Sequence, residues 1–97
     1  MEPAAYKDEI VNFIWNTTNL KKKDAEKAVD AMLRFIADVL KQGNEVKLIR
    51  FGIFRRIRLV ETEKRVFSGE IIKVPEHYTI KFYPSKSLKD YVNKQED

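Results

Sequence analysis

The sequence predicts an α+β fold: two helices, three strands with a long hairpin between the second and third, and a short closing helix. Three observations carry this. Apolar residues recur at helical spacing from residue 8 to residue 42. Beyond Glu45 they alternate with polar ones, as on a half-buried strand. Gly43, Gly52, Gly69, Pro75 and Pro84 then punctuate the second half where turns are needed.

The first helix is expected from about Asp8 to Thr18, with Asp8 as N-cap and Ile10, Phe13, Ile14 and Thr17 at helical spacing. Asn19-Leu20-Lys21 makes a turn. The second helix is expected from about Lys22 to Gln42, although Lys21 is a poor cap. Its apolar face is Ala25, Ala28, Val29, Met32, Phe35, Ile36, Val39 and Leu40. Asp24 and Glu26 suit the positive end of the helix dipole, and Gly43 supplies the stop. Val46, Leu48 and Phe51 then alternate with polar neighbours, and Gly52 breaks the run before a strand over 53–60. Glu61–Arg65 is charged, Val66-Phe67-Ser68-Gly69 is a turn, and 71–74 returns to Pro75. Tyr78, Ile80 and Phe82 alternate again. Ser85 caps the last helix, whose expected buried face is Leu88, Tyr91 and Val92.

The chain has 97 residues, 43% apolar and 35% charged, which is the composition of one globular domain. So short a chain buries a limited share of its surface, so a partner subunit is a common way to complete its core. There is no cysteine, which excludes disulfides and thiolate metal sites and suits a reducing compartment. Charges interrupt any leader-like apolar run near the N-terminus, and no stretch approaches the ~18 apolar residues of a membrane span. A cytoplasmic protein is expected. The formal net charge is +4, but residues 1–45 sum to −1 and residues 46–97 to +5. That asymmetry suggests a polyanion-binding surface in the second half.

Nothing in the sequence resembles an active site. The only histidine is His77, which leaves no histidine cluster for a metal and no catalytic triad. No glycine-rich phosphate loop occurs. Asp24, Glu26, Asp30 and Asp38 interleave with lysines as on a solvated helix face, and Trp15 reads as a packing residue on a helix flank. No enzyme, cofactor or small-molecule substrate is expected.

Four stretches carry a resemblance to a known family. They are Leu20-Lys-Lys-Lys-Asp-Ala-Glu-Lys-Ala-Val-Asp-Ala, Gly43-Asn-Glu-Val-Lys-Leu-Ile-Arg-Phe-Gly-Ile-Phe, Ser68-Gly-Glu-Ile-Ile-Lys-Val-Pro and Phe82-Tyr-Pro-Ser-Lys-Ser-Leu-Lys-Asp. In this order and spacing they resemble the HU/IHF family of bacterial histone-like DNA-binding proteins, over nearly the whole chain. The resemblance implies an intertwined dimer with a helical base, a sheet saddle and two protruding arms, here about residues 56–75, that wrap the minor groove. It implies a homodimer, with a heterodimer open, and double-stranded DNA as partner. Phe51, Phe54 and Phe82 fall where the family packs aromatic residues between subunits; ordinary packing within one chain is the other reading. Lys7, Lys22, Lys86 and Lys89 fall where the family holds phosphates, a task that suits a mobile point charge. Lys23, Arg55, Arg56, Arg58, Lys64, Arg65 and Lys73 complete the expected DNA-binding set, with Phe67 at the tip.

The arm departs from the family pattern. A tip of the form Arg-Asn-Pro-Gln-Thr-Gly, whose proline wedges between base pairs, is replaced by Lys64-Arg-Val-Phe-Ser-Gly. Phe67 or Val66 is a candidate apolar wedge, and packing on its own hairpin or contact with another protein are the alternatives for Phe67. Family arginines are replaced by Ile57 and Leu59. Alternation puts Arg56, Arg58 and Lys64 on the face of Phe54, and Ile57, Leu59, Glu61 and Glu63 on the other. Either a bulge breaks that alternation or the arm is used differently. The expected function is therefore an architectural protein that binds duplex DNA with little base specificity. The rival is an interaction module on the same fold, docking a partner through Ile57, Leu59 and Phe67.

Overall fold

The computed structural model describes residues 3–95, which fall into two compact units, Met1–Asp38 and Val39–Asp97. Helix α1 spans Lys7–Thr17. Its N-cap is the extended Tyr6, which makes no side-chain cap bond, and Asp8 and Glu9 lie in the first turn instead. Asp8 is thus not the cap: the cap lies two residues earlier, with the Tyr6 carbonyl accepting from the amides of Glu9 and Ile10 at 3.0 and 3.3 Å. The acidic pair still favours the helix dipole. At the other end the hydroxyls of Thr17 and Thr18 donate to the carbonyls of Phe13 and Ile14 at 2.7 and 2.6 Å. They satisfy acceptors that the helix end leaves open.

Helix α2 spans Lys22–Lys41. It ends as Gly43 predicts. Gly43 takes φ +88, its amide donates to Leu40 and the Asn44 amide to Val39. This pair of bonds with a left-handed glycine is the Schellman stop. Val11 and Ile14 of α1 pack with Ala25 and Val29 of α2 as the core of the first unit. The remainder of the expected α2 face is only partly covered: Leu40 is buried, but Met32 and Phe35 are exposed.

The second unit holds strands β1 (Val46–Leu48), β2 (Gly52–Leu59), β3 (Thr62–Arg65), β4 (Ile71–Val74) and β5 (His77–Pro84), then α3 (Lys86–Asn93). Strands β1, β2 and β5 form an antiparallel sheet in that order, and β3 and β4 form a two-stranded one. Phe51 is not in β1; it lies in the turn to β2, where its amide donates to Leu48 at 2.9 Å. Arg50 in that turn has φ 67, a left-handed conformation that disfavours a side chain by about 1–2 kcal/mol. Gly52 opens β2 rather than breaking it. A Cβ there would stand 2.6 Å from the Phe82 ring and from the Tyr83 carbonyl oxygen, so no other residue fits.

The pairing with β1 reaches along β2 only to Phe54, opposite Val46, and β2 continues with β5 as a two-stranded ribbon to the Leu59–His77 pair. Pairing lapses for two residues on each side and resumes at Thr62–Val74. Pro75 explains the lapse, since it has no amide to give the ladder. The interruption takes two residues from each strand, so the register is kept and there is no bulge. The three expected strands are therefore five, and the return strand of the arm runs past Pro75. At the tip, Val66 and Glu70 pair through a 2.9 Å bond around a left-handed Gly69 (φ +90), the geometry of a three-residue hairpin loop.

Helix α3 is capped as expected: the Ser85 hydroxyl accepts from the Leu88 amide at 3.0 Å. Its face is not buried as expected. Leu88 is half-buried, while Tyr91 and Val92 are 78% and 72% exposed on this chain. Among the described residues no large side chain is fully buried.

Candidate nucleic-acid interface

Strands β1, β2 and β5 contain no aspartate or glutamate, yet they carry Lys47, Arg55, Arg56, Arg58 and Lys81. Alternation along the strands divides these cations between two faces. Phe54 and Phe82 are directly opposite in the register, with ring centroids 4.8 Å apart, and Phe51 lies 5.4 Å from Phe82. The aromatic trio therefore forms within one chain, but Phe51 and Phe82 stay 45% and 37% exposed.

Arg56 and Arg58 share the aromatic face, and each already has partners. The Arg56 guanidinium lies 3.8 Å over the Tyr78 ring and donates to the Lys41 carbonyl at 3.1 Å. Arg58 meets Glu76 at 2.6 Å, and that hydrogen bond pushes its pKa above the ordinary arginine value.

The other face carries Lys47, Ile53 and Tyr83 in one cross-strand row, and Arg55 opposite Lys81 in the next. Like charges directly opposite are unfavourable unless something neutralises them. Arg55 has help: it bonds Glu45 at 2.5 Å, which raises its pKa, and it lies 5.0 Å over the Tyr83 ring. Lys81 makes no ion pair among the described residues. Lys47 makes none either, so this face holds unpaired positive charge among the described residues.

Of the flank lysines, Lys7 is ion-paired with Asp30, whose hydrogen bond raises the lysine pKa. The ammonium of Lys22 lies 5.4 Å from the centroid of the Trp15 ring, and Trp15 is 45% exposed instead of packed away. Lys23 is exposed. Lys86 pairs with Asp90 one turn along α3 at 2.9 Å, whereas Lys89 is exposed without an ion pair among the described residues. In the arm, Lys73 faces Glu63 across the ladder and Lys64 faces Ile72. The Arg65 guanidinium reaches the Gly69 carbonyl at 3.4 Å, a long bond that leaves most of its donors open. Phe67 is wholly exposed at 109% and does not pack on its own hairpin.

With no bulge, the alternation deduced for the arm holds. Glu63 sits opposite Lys73, so the acidic face is locally balanced and not simply repulsive. Lys47 and Lys81 are the residues that sequence reasoning missed. Their odd-numbered parity with Arg55 was legible, but the pairing that brings 55 and 81 together was not.

A carboxylate-free sheet, drawn out into a hairpin arm with an exposed apolar tip and preceded by two amphipathic helices, defines a small α+β protein that presents a cationic surface. Residues 5–93 match the family described as Bacterial DNA-binding protein, and the chain belongs to that family. It is 40% identical over 87 residues to the DNA-binding protein HU of Geobacillus stearothermophilus, covering 89% of this chain and 97% of that one. An HU protein of Bacillus subtilis is also 40% identical over 87 residues, covering 89% and 95%. Among solved structures, Anabaena HU from an HU–DNA cocrystal superposes with TM-score 0.87 at 24% identity, over 94% of this chain and all of that one. A mutant HU from Thermotoga maritima gives 0.69 at 26% identity, over 92% of this chain and all of that one.

Proposed function

We propose that this protein is a histone-like architectural protein that binds duplex DNA with little sequence specificity and compacts or bends it. The carrying observation is the sheet without a carboxylate, on which Lys47 and Lys81 share one face with no ion-pair partner among the described residues and so favour a polyanion. Membership of the DNA-binding family and relatives named DNA-binding protein HU support the same reading. The chain acts as a single DNA-binding domain within a dimer, most simply a homodimer, in the bacterial nucleoid. Binding involves no chemistry: lysines and arginines replace the counterions of the phosphates, and DNA deformability adds what preference there is.

The phosphate contacts come from Lys22, Lys23 and Lys89, whose charges are not taken up by a carboxylate, joined by Lys47 and Lys81 on the sheet. Lys64, Arg65 and Lys73 serve the arm, and Phe67 is its wedge. Lys7, Arg55, Arg58 and Lys86 bind phosphate by exchanging a carboxylate for it, and Arg56 by leaving Tyr78. The rival, a docking module using Ile57, Leu59 and Phe67, is not favoured: Ile57 is half-buried and the family is one of DNA-binding proteins.

The test is the affinity for random-sequence duplex measured over a range of salt concentrations. A steep fall of log K with log salt is expected. Replacing Lys86 and Lys89 together by Ala should weaken binding to all sequences alike and make the slope shallower by roughly one to two. The full value of two requires both lysines to lose counterions; the Lys86–Asp90 pair lowers it toward one. A wild-type affinity independent of salt would overturn the proposal.

A further inference from the structure

Arg50 is the described non-glycine residue whose backbone is left-handed, with φ 67, and it stands at the tip of the β1–β2 turn. Glycine adopts this conformation without strain, and so short a turn needs no side chain for packing. Arg50 is also exposed and has no ion-pair partner among the described residues. Between Glu45 and Glu61 the chain has no carboxylate at all, so nothing nearby in sequence competes for the guanidinium. The turn is tied to the start of α3: the Ser85 amide donates to the Phe51 carbonyl at 2.9 Å. Arg50 is therefore one residue from the link to the helix that bears Lys86 and Lys89. Beside the turn, Lys47 and Ser85 border an open apolar hollow of about 320 Å³ lined by Leu48, Ile49, Ile53 and Pro84.

Backbone strain kept at an exposed position is a pointer to function when nothing in the fold requires the side chain. We infer that Arg50 is a DNA-phosphate contact, through which the β1–β2 turn joins the α3 lysines and the Lys47–Lys81 side of the sheet into one binding surface. This rests on the duplex-binding reading above. A guanidinium presents a fork of donors that matches a phosphate, so one contact fixes orientation as well as charge. The contact reads no base, and its loss affects all sequences equally.

The experiment compares wild type, Arg50→Gly and Arg50→Lys by thermal unfolding and by salt-dependent binding to a random-sequence duplex. Arg50→Gly should melt higher, because the turn is relieved, yet bind roughly five- to tenfold more weakly near 0.1 M salt, with a slope shallower by about 0.9. Arg50→Lys should melt close to wild type and keep its salt slope, because the charge remains, and bind between wild type and the glycine variant, because the fork is lost. A glycine variant with wild-type affinity and slope overturns the inference, and so does a lysine variant as weak as the glycine one. If the wild type itself fails to bind duplex, the duplex-binding reading falls and this contact with it.

Discussion

Gly52 and Gly69 are both glycines of the second unit, but the fold needs them for different reasons. At Gly69 the backbone is left-handed and an added Cβ would meet nothing within 4 Å. Gly69→Ala is limited to the conformational penalty, about 1 kcal/mol. At Gly52 the Cβ would collide with the Phe82 ring and, at the same 2.6 Å, with a backbone carbonyl that cannot swing away. Gly52→Ala should therefore destabilise the protein by about 1–3 kcal/mol or more, as overpacking does. Urea unfolding of the two variants checks this: the midpoint should drop further for Gly52→Ala, and equal midpoints would count against the close approach. The sequence offered Gly52 only as a break in an alternating run. What makes it necessary is Phe82, thirty residues away in sequence, and no local pattern encodes that contact.

Elements were legible where a local signal set them. Gly43 stopped α2, Ser85 capped α3, and the 3.6-residue period found Ala25, Val29 and Ile14 of the α1–α2 core, but in α1 it favoured Ile10 and Phe13, which are exposed, over the buried Val11. The start of α1 was misjudged because Asp8 is equally at home in a first turn, where its charge meets the dipole without a capping bond. The arm was read as one hairpin because the break at 60–61 and 75–76 preserves register, and only Pro75 betrays it. Its tip sets up a prediction. Phe67 has no contact to lose, so Phe67→Ala should leave stability unchanged. Unstacking a base step costs a few kcal/mol, and Glu63 and Lys73 cancel across the ladder, so on intact DNA chiefly Lys64 and Arg65 are left to offset that cost. A nick removes much of the bending cost, so the wedge gains most there. The ratio of affinities for nicked and intact duplex should therefore exceed one in the wild type and fall toward one in Phe67→Ala. A ratio near one in both would show that Phe67 is not a wedge.

For the whole molecule, burial decides what the sequence could only suggest. Phe51, Phe54 and Phe82 do meet within one chain, as the packing of a self-sufficient monomer requires. That contact is not enough, because the cluster is left half open, and Met32, Phe35, Tyr91 and Val92 are each more than half exposed as well. Among the described residues the buried apolar ones are Val11, Ala25, Val29, Leu40 and Val46, all small or medium in size. At roughly 25 cal/mol per Å² of apolar surface, so few residues cannot offset the conformational entropy of ordering about ninety. The missing burial must come from a second chain, as the periodic but exposed faces of α2 and α3 imply. Folding and association are then one equilibrium, and stability depends on protein concentration. The midpoint of thermal unfolding should rise steadily as the protein is concentrated from the low micromolar range, while sedimentation gives twice the chain mass. A midpoint that stays constant with dilution, together with a compact species of 11.5 kDa, would show instead that this small core suffices alone.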